Sequence, residues 1–450
     1  MAMTLQTRHP VAVRAAPWIG LGIALLLVAA AVVVPLATGW EVHARRNPHL
    51  SVPPLHARWD PRLLGPGTVP ALVLALLAWR YAAECATRLP WRRLLLVAYV
   101  VGLAWLLALA FMDGTHGISR VLDNDDEYLR TAREVTDVHA LLTGFIERIP
   151  MSHPDNWTTH VAGHPPGALL FFVGLVRVGL GGDFAAGTVV TVLAASTAPA
   201  VLIAVRALRA EAAARRAAPF LVLGPAALFM AVSADAVFTV VAAWGLAALA
   251  LAATTDRRGR AMGCSVLAGL LLGGCLLLSY GLPLLALLAL AVMAAARTWR
   301  PLPVVAVSAA AVVLAFAVAG FLWWDAYPVL KDRYWDGLAA DRPATYWMWA
   351  NLAALALSAG PLLGAGLASL ATARRRADRV VVLLVTAAVA TVVVADLSRM
   401  SKAEVERIWL PFVPWLLLST ALLPESWRRW GLALQLATAL LMETLLYTTW

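Results

Sequence analysis

The chain has 450 residues, of which 61% are hydrophobic and 14% are charged. A soluble domain is closer to half apolar and a quarter charged, so this composition excludes a soluble protein and predicts a polytopic integral membrane protein. The formal net charge is +10, but the arginines lie in clusters between apolar runs, which is typical of orientation signals, and we expect no nucleic-acid partner.

Thirteen apolar runs are candidates for transmembrane helices. They cover residues 17–37, 68–84, 94–112, 183–205, 218–232, 236–253, 261–278, 283–297, 303–323, 346–370, 379–395, 408–423 and 430–446. Several are shorter than the roughly 20 residues that a full crossing needs. A further run, 165–181, begins with two prolines and contains Arg177, so we expect it to lie along the membrane surface. The predicted fold is all-α, with about 13 transmembrane helices and juxtamembrane helices on the outer surface.

The arginine clusters orient these helices. If 165–181 does not cross, the clusters all lie on one side of the membrane; they are near residues 88–93, 206–216, 257–260, 297–300, 374–379 and 428–429. The positive-inside rule then places the N-terminus in the cytoplasm and the polar stretch 122–170 outside. The first apolar run lacks a small-residue cleavage pattern, so we expect a retained helix in an integral plasma-membrane protein.

This arrangement divides one membrane domain into three parts. Residues 1–112 form an N-terminal three-helix segment, 113–182 an outer loop of catalytic type with interfacial helices, and 183–450 a C-terminal transmembrane bundle. Almost no ionisable side chain lies in the middle of a span, which weighs against an ion-coupled transporter.

Four polar stretches are expected to converge on the outer face, because the inner face has only short basic connections. They are residues 113–164, 233–235, 324–345 and 396–407. The aromatic side chains of 324–345 either bind substrate or form an interfacial belt. Since a site requires several polar groups in one place, we expect the functional site on this face.

Four acids open the outer polar stretch: Asp123, Asp125, Asp126 and Glu127. Charged groups crowded at a lipid boundary are costly and are therefore functional candidates. Mutual repulsion can raise the pKa of one of them and suit it to general-base catalysis. The alternative is a solvated helix start, because acids are favoured at helix N-termini. The sequence that follows, 128–146, has an apolar stripe and predicts one interfacial helix.

Five further polar residues have a functional and a structural interpretation. His160 and His164 are four residues apart, which permits metal binding, a contact with substrate or with the acids, or plain loop histidines. Asp235 is either a site residue or a helix cap. Lys402 and Arg407 stand just before an apolar run and are either membrane anchors or, for Arg407, a grip on a phosphate.

The motifs, taken in order, resemble a known family. The chain carries DDEYLRTAREV, GHPPGALLFF, an Asp at a turn (Asp235), a Tyr-Gly-x-Pro turn at Tyr280 and then KAEVERIWLPFVPW. This order resembles the GT-C class of membrane glycosyltransferases. It is most similar to the branch that contains the aminoarabinose transferase of lipid A and the protein O-mannosyltransferases. The resemblance covers residues 113–423.

Two departures from the family pattern bear on the site. Three spans precede the acidic motif, whereas such proteins usually carry it after the first helix. Alignment of Tyr128 with the family aromatic places Asn124 where the catalytic Asp is expected and Asp125 where a Glu is expected. The base is then Asp125, or Asp126 if the alignment slips by one residue, or else it has moved or is absent.

The resemblance implies a glycosyltransferase that moves a sugar from a polyprenyl-phosphate donor to an acceptor hydroxyl at the outer face. A carboxylate takes the hydroxyl proton, the anomeric carbon is attacked with inversion, and the lipid phosphate leaves. The acceptor would be a glycan, lipid or protein of the cell envelope. The implied catalytic residues are Asp125, Asp126, Asp123 and Glu127, and the implied substrate-binding residues are Tyr128, His160, His164, Asp235, Tyr280, Lys402 and Arg407.

No cofactor follows from this interpretation; a divalent cation is left open and no residue is assigned as a metal ligand. Membrane lipid is the other expected partner. Two alternatives belong to different classes, namely a carrier or flippase for a lipid-linked saccharide and a non-catalytic membrane scaffold of GT-C type. The absence of mid-span charges and of a visible inverted repeat weighs against the carrier. The residue Asn124 at the expected acid position keeps the scaffold open.

Overall fold

The structure is a computed structural model that describes residues 11–45, 49–373 and 377–448. Of these described residues, 73% are helical and almost none are in strands, so the predicted all-α class is confirmed. One continuous core of buried apolar side chains takes in residues from Leu55 to Met442. Three arginines of the predicted cluster at 374–379, Arg374, Arg375 and Arg376, lie outside the described residues.

In chain order the α-helices are α1 (Val11–Thr38), α2 (Thr68–Arg88), α3 (Trp91–Ala110), α4 (His116–Ser119), α5 (Tyr128–Glu134), α6 (Val138–Thr143), α7 (Thr159–Gly163), α8 (Pro166–Arg177), α9 (Asp183–Ala194), α10 (Thr197–Ala207), α11 (Glu211–Val222), α12 (Ala227–Met230), α13 (Ala234–Thr254), α14 (Arg258–Leu278), α15 (Leu285–Ala296), α16 (Leu302–Val318), α17 (Trp323–Asp336), α18 (Leu338–Asp341), α19 (Ala344–Ser358), α20 (Leu362–Ala373), α21 (Arg379–Leu397), α22 (Val405–Ile408), α23 (Val413–Leu417) and α24 (Trp427–Leu445). Short 3-10 helices cover Phe111–Asp113, Leu282–Leu284 and Leu418–Leu422. Two strands, β1 (Ala57–Trp59) and β2 (Leu446–Thr448), pair antiparallel.

Seven helical segments are long and apolar enough to cross a membrane. They are Ala15–Thr38, Thr68–Arg88, Trp91–Asp113, Asp183–Ala207, Ala234–Thr254, Arg258–Leu278 and Arg379–Leu397. Two bent pairs add a span each if each pair is one crossing: α16 with α17, bent by 76°, and α19 with α20, bent by 105°. The described part of the chain therefore holds seven candidate spans, or up to nine, and the prediction of 13 is wrong.

The prediction was too high because an apolar run can also form a short helix inside the protein. The runs at 283–297 and 408–423 form the short apolar helices Leu282–Ala296 and Val413–Leu422. A helix of fewer than about 18 residues is shorter than about 27 Å, whereas the hydrocarbon core is about 30 Å thick. The run at 218–232 is divided between α11 and α12. Helix α24 carries Arg428, Arg429 and Glu443, which lowers its apolar character.

The single interfacial helix predicted over 128–146 is also wrong, because α5 and α6 are separate. Helix α5 ends at Glu134, and Val135 takes an extended conformation. Helix α6 begins after Asp137, whose side chain accepts hydrogen bonds from the backbone N–H groups of His139 and Ala140. Asp137 is thus an N-cap inside the apolar stripe. The apolar stripe continues across this boundary, so the pattern alone does not reveal that the Asp137 carboxylate starts a second helix.

The ends of α2, α3 and α24 are held together by β1, β2 and a close backbone approach. Ala57 pairs with Thr448 in the two-stranded sheet. The turn before α2 contains Gly65, where a Cβ would lie 1.8 Å from the carbonyl oxygen of Met112 at the end of α3. Only glycine permits that approach. These three helix ends therefore lie at one level of the molecule.

The loop after α1 lies on α19. Gly20 of α1 and Gly364 of α20 pack backbone to backbone, since a Cβ at Gly20 would lie 2.1 Å from the carbonyl oxygen of Gly364. Small residues at such a contact are typical of helix packing in membranes. Trp347 of α19 donates a hydrogen bond from Nε1 to the carbonyl oxygen of Val42 at 2.8 Å. This arrangement brings Val42 and Ala44 into one cluster with Ala403, beside the site described next.

Candidate functional site

Arg407 lies at the centre of a group of buried charges. It belongs to the one-turn helix α22 and is only 5% exposed. Its Nη1 donates to Oδ2 of Asp235 at 2.7 Å, and its Nη2 donates to Oε2 of Glu404 at 2.9 Å. Burial disfavours the guanidinium charge, but Asp235 and Glu404 outweigh burial and raise the pKa of Arg407. Arg407 is therefore a fixed positive charge inside the protein.

His160 connects Arg407 to the acidic cluster. Nη2 of Arg407 lies 2.9 Å from Nε2 of His160, and Nδ1 of His160 lies 2.8 Å from Oε1 of Glu127. A guanidinium has hydrogen-bond donors only, so Nε2 must accept and the ring proton is on Nδ1. His160 therefore donates to Glu127 while it accepts from Arg407, and the three side chains form one directed chain of hydrogen bonds.

Glu127 is the buried member of the acidic cluster, with 5% of its surface exposed. The acidic turn is tied to α7, because the backbone N–H of His160 donates to the carbonyl oxygen of Asp126 at 3.1 Å and Thr159 donates to the Asp126 carboxylate at 2.8 Å. Oε2 of Glu127 is buried and has no hydrogen-bond partner among the described residues. Buried acceptors are almost always bonded, so this oxygen is the natural acceptor for a proton donor that enters the site.

Asp235 enters the group from the first turn of α13. The N-cap of that helix is Ser233, whose Oγ accepts from the backbone N–H of Ala236 at 3.2 Å. The capping role considered for Asp235 thus belongs to Ser233, and the Asp235 carboxylate is directed to Arg407. A carboxylate is also favoured by the dipole in the first turn of a helix.

Glu404 extends the group towards a third polar stretch. Its Oε1 accepts from Nη2 of Arg342 at 3.0 Å, while Nη1 of Arg342 donates to the carbonyl oxygen of Lys402 at 2.6 Å. Burial would raise the pKa of Glu404, but a hydrogen bond from His56 and the charges of Arg342 and Arg407 hold it well below its usual value. Glu404 also has a left-handed φ of 60°, a conformation that these contacts maintain.

Lys402 is buried in the same region, at 4% exposure. Its ammonium donates to the carbonyl oxygen of Arg342 at 2.8 Å and lies 4.6 Å from the centre of the Trp335 ring. Burial lowers the pKa of Lys402, and the Arg342 charge lowers it further. An anchoring lysine keeps its ammonium in water, so the position of Lys402 does not fit that interpretation.

The loop before β1 closes the group from another direction, through His56. Its backbone N–H donates to Oε1 of Glu406 at 2.8 Å, and its Nδ1 lies 3.6 Å from Oε1 of Glu404. Glu406 is 1% exposed, and burial raises its pKa to about 7. Glu404 and Glu406 are two residues apart, yet their environments shift their pKa values in opposite directions.

The side chains of Tyr128 and His164 pack together next to Glu127. Oη of Tyr128 lies 2.7 Å from Nδ1 of His164, and the Tyr128 ring stacks on Phe172 at 5.4 Å between centroids. Burial raises the pKa of Tyr128 well above its usual value and lowers the pKa of His164 to about 4. Both side chains are therefore neutral near pH 7.

The other three acids of the cluster are at the surface. Asp125 is 83% exposed in its side chain and forms an ion pair with Arg130. Asp123 also pairs with Arg130, and that hydrogen bond lowers the pKa of Asp123. Asp126 is exposed and bonds Thr159. Asp123 and Asp125 thus form surface ion pairs just before α5, whereas Glu127 is directed into the protein.

Tyr280 belongs to a separate aromatic cluster. Its ring lies 5.5 Å from Trp323 and 5.8 Å from Tyr327, measured between centroids. Trp323 and Tyr327 are parallel, with 6° between their planes. Tyr280, a predicted substrate-binding residue, therefore packs against α17. Of its two partners, Tyr327 belongs to the aromatic stretch 324–345 and Trp323 directly precedes it.

The structure brings the four predicted polar stretches together. His160 of the first and Asp235 of the second both bond Arg407 of the fourth. Arg342 of the third bonds Glu404 of the fourth. Arg333 of the third also donates to the carbonyl oxygen of Trp157, in the first.

Sequence reasoning did not single out four residues of the group: His56, Arg342, Glu404 and Glu406. Glu404 and Glu406 stand inside a motif that the sequence did highlight, KAEVER, and could have been found as the two acids that precede Arg407. His56 gave no signal, because 350 residues separate it from Glu406.

Within the ranges that the structure describes, no group of three or more His, Cys, Asp or Glu side chains is arranged to hold a metal ion. Comparisons of the chain with protein-family models, with curated proteins and with solved structures each gave no match.

Proposed function

We propose that the protein is an inverting membrane glycosyltransferase that uses a polyprenyl-phosphate-linked sugar, with Glu127 as its general base. The observation that carries the proposal is the buried hydrogen-bonded chain of Glu127, His160 and Arg407 where the four polar stretches meet. The acid–base part rests on this geometry. The donor class rests on the resemblance of the motifs to the GT-C class.

The reaction needs one proton acceptor and one place for a departing phosphate. The acceptor hydroxyl attacks the anomeric carbon as its proton passes to Oε2 of Glu127. The bond between the anomeric carbon and the phosphate oxygen breaks, and its electron pair leaves with the lipid phosphate. His160 holds Oε1 of Glu127, so Oε2 is the oxygen that remains for the proton. General-base help of this kind contributes roughly 10²–10⁴-fold.

Glu127 is favoured over Asp125 because Glu127 is buried next to other functional side chains, whereas Asp125 is at the surface. Catalytic acids and bases concentrate where burial and neighbouring charges are arranged around them. Glu127 is 5% exposed beside His160, whereas the Asp125 side chain is 83% exposed beside Arg130. Asp125 and Asp126 remain predictions, and the same assay tests them.

Arg407 has two candidate roles in this reaction. It already bonds two carboxylates, and a phosphate is a similar acceptor that can replace Glu404 on the guanidinium. Alternatively it acts through His160, by keeping the ring proton on the nitrogen that faces Glu127. In the first role it contacts the donor; in the second it is a positioning residue.

The proposed location follows the arginine clusters of the sequence. The N-terminus would be cytoplasmic and the charged group extracytoplasmic, in the plasma membrane. The acceptor would then be a glycan, lipid or protein of the cell envelope.

One observation favours a non-catalytic scaffold as the second candidate. Arg407 bonds Asp235, Glu404 and His160 at once, so the charged group is extensively paired within the protein. Such a network can have a purely structural role, in which it holds loops against the ends of helices.

The test uses the purified full-length chain in lipid vesicles. Polyprenyl phosphates that carry a labelled hexose or pentose are added, with a solubilised membrane fraction as acceptor. We expect release of polyprenyl phosphate and a labelled product of inverted anomeric configuration. Donor that is neither bound nor consumed would favour the scaffold. Labelled donor that moves intact from one leaflet of the vesicle membrane to the other would favour a carrier.

A further inference from the structure

A second charged pocket lies away from Arg407, at the joined ends of α2, α3 and α24. It is an open depression, and the space in and above it, open solvent included, is about 370 Å³. Two arginines and two acids line it: Arg62, Arg120, Asp113 and Glu443. None of these side chains has a part in the proposed sugar transfer.

The two arginines of this pocket are only partly satisfied. Asp113 lies between them, bonding Nη1 of Arg62 through one carboxylate oxygen and Nη1 of Arg120, at 2.7 Å, through the other. Nη2 of Arg120 donates to the carbonyl oxygen of Thr448 at 3.3 Å. The Nε atoms of Arg62 and Arg120 are buried and have no hydrogen-bond partner within the described ranges. A buried charged donor without a partner is costly and points to a ligand acceptor.

Tyr447 of β2 gathers the positive charge. The guanidinium carbons of Arg58, Arg62 and Arg120 lie 4.3, 5.0 and 4.3 Å from the centre of its ring. Three like charges around one ring repel one another, and the ring quadrupole offsets only part of that repulsion. Asp113 already bridges Arg62 and Arg120, and Asp60 pairs with Arg58 at 2.9 Å. A further acceptor at the two unpartnered Nε atoms would lower the repulsion more.

Glu443 supplies a negative group on the same pocket. Its carboxylate is within electrostatic range of Asp113, Arg120 and Arg62. Burial raises the pKa of Glu443 to about 7, and with its carboxyl group ionised the lining is balanced in charge, two guanidiniums against two carboxylates. A balanced lining suits a ligand that carries both signs better than a simple anion.

The position of the pocket indicates a membrane lipid. Arg62 stands just before α2, Asp113 ends the candidate span Trp91–Asp113, and Glu443 lies in the last turn of α24. The ends of spans lie at the level of lipid headgroups. Next to Arg62, the apolar side chains of Leu63 and Leu64 are 65% and 87% exposed. Such side chains are suited to contact with acyl chains.

We propose that this pocket binds the headgroup of a zwitterionic phospholipid with a phosphate and a primary ammonium. The phosphate accepts hydrogen bonds from Nε of Arg62 and Nε of Arg120. The ammonium donates to the carboxylate of Glu443. The acyl chains pass Leu63 and Leu64 and follow the exposed apolar face of α2. The proposal is independent of the proposed sugar transfer.

The experiment measures lipid retained by the purified full-length chain. The protein is reconstituted with phosphatidylethanolamine, phosphatidylcholine or phosphatidylglycerol, washed with detergent and weighed intact by native mass spectrometry. We expect phosphatidylethanolamine to be retained most strongly, because phosphatidylcholine has no ammonium N–H and phosphatidylglycerol has no cation. Arg62→Lys keeps the charge beside Asp113 and removes Nε, so it should lower retention about tenfold. Glu443→Gln should lower it similarly.

The control pair lies at the other end of the same helix. Arg88 and Glu84 of α2 form their own ion pair at 2.6 Å, and Arg88→Lys and Glu84→Gln should leave retention unchanged. Equal retention of the three phospholipids, or unchanged retention in both pocket variants, overturns the proposal. Full competition by glycerophosphoethanolamine without acyl chains would assign the pocket to a soluble phosphate amine and also overturn the lipid proposal. Folding of each variant is checked by its thermal midpoint.

Discussion

Nε2 of His160 lies 2.9 Å from Nη2 of Arg407, although 247 residues separate them in the chain. This contact joins the histidine-rich end of the polar loop to the late KAEVER motif. It also determines where the imidazole proton is, because the guanidinium can only donate. The same imidazole then donates to Glu127, so a residue of the late motif sets the hydrogen bonding of an acid in the early one.

The first prediction compares two neighbouring acids. Glu127→Gln should reduce sugar transfer by roughly 10²–10⁴-fold, because an amide cannot take the acceptor proton. Asp125→Asn, an equally small change two residues away, should leave most of the activity, since its carboxylate is exposed on Arg130. Initial rates of polyprenyl phosphate release from the labelled donor measure both.

Donor binding is the control for that comparison. Both variants should bind the lipid donor as the unmodified chain does, and both should keep its thermal midpoint. A loss of transfer in Asp125→Asn, with normal rates in Glu127→Gln, would move the base to the surface acid. If single replacements of all four acids leave transfer near normal, the general base is not in the acidic cluster and the assignment of Glu127 fails.

The sequence predicted the convergence of polar stretches better than the roles of single acids. Polar segments between apolar runs are excluded from the lipid, so they can lie only at the membrane surfaces. The sequence therefore predicts that four of them meet: 113–164, 233–235, 324–345 and 396–407. Side chains of neighbouring residues point in different directions, so Asp126 is exposed whereas Glu127, the next residue, is buried. This difference is set by contacts with α7, which no local pattern reports.

The number of spans was less predictable, for a different physical reason. Hydropathy measures how apolar a segment is, and a short helix packed against other helices is as apolar as a segment facing lipid. The helix Val413–Leu422 is an example, since it is largely buried within the protein. Bends also escape the pattern: α19 and α20 turn by 105° within one apolar run.

The second prediction concerns Glu406 and pH. Burial raises the pKa of Glu406 from 4.5 to about 7, while Glu404, Arg407 and the backbone of His56 face it. The folded chain therefore binds more protons than the unfolded chain between these values. The stability that this group contributes is complete below about pH 4.5 and is lost as the pH rises through about 7. The loss at pH 8 amounts to at most about 3 kcal/mol.

Glu406→Gln removes this titration and keeps an oxygen for the N–H of His56. We expect its thermal midpoint to exceed that of the unmodified chain at pH 8, with little difference at pH 5. Glu425→Gln is the matched control, because the Glu425 side chain is 80% exposed. An unchanged difference between pH 5 and pH 8 in Glu406→Gln would show that another group carries the pH dependence.

The third prediction tests the membrane orientation. Cysteines are introduced at Ser152, in the polar loop, and at Ala212, in α11, after replacement of Cys85, Cys264 and Cys275. Both positions are exposed, so a difference in labelling reports the side of the membrane and not burial. An impermeant thiol reagent added to intact cells should label Ser152→Cys and leave Ala212→Cys unlabelled. Labelling of Ala212→Cys from outside would reverse the assignment of sides.

The last prediction asks what Arg407 does. Arg407→Lys keeps a positive charge next to Asp235 and Glu404 but removes the planar fork that bonds His160 and one carboxylate together. We expect turnover to fall about a hundredfold, or by about 3 kcal/mol at the transition state, with normal membrane expression. Lys402→Arg should cause a smaller fall, because the ammonium of Lys402 bonds a backbone carbonyl oxygen and not the Glu127 chain.

The pattern of kcat and KM then separates the two roles of Arg407. A guanidinium that grips the lipid phosphate loses part of its donor contact in Arg407→Lys, so KM for the donor rises as kcat falls. A positioning residue leaves KM unchanged and lowers kcat alone, because only the proton transfer to Glu127 suffers. The contact of Arg407 with His160 favours the second outcome. If Arg407→Lys turns over as fast as the unmodified chain, Arg407 has only a structural role and another group must bind the phosphate.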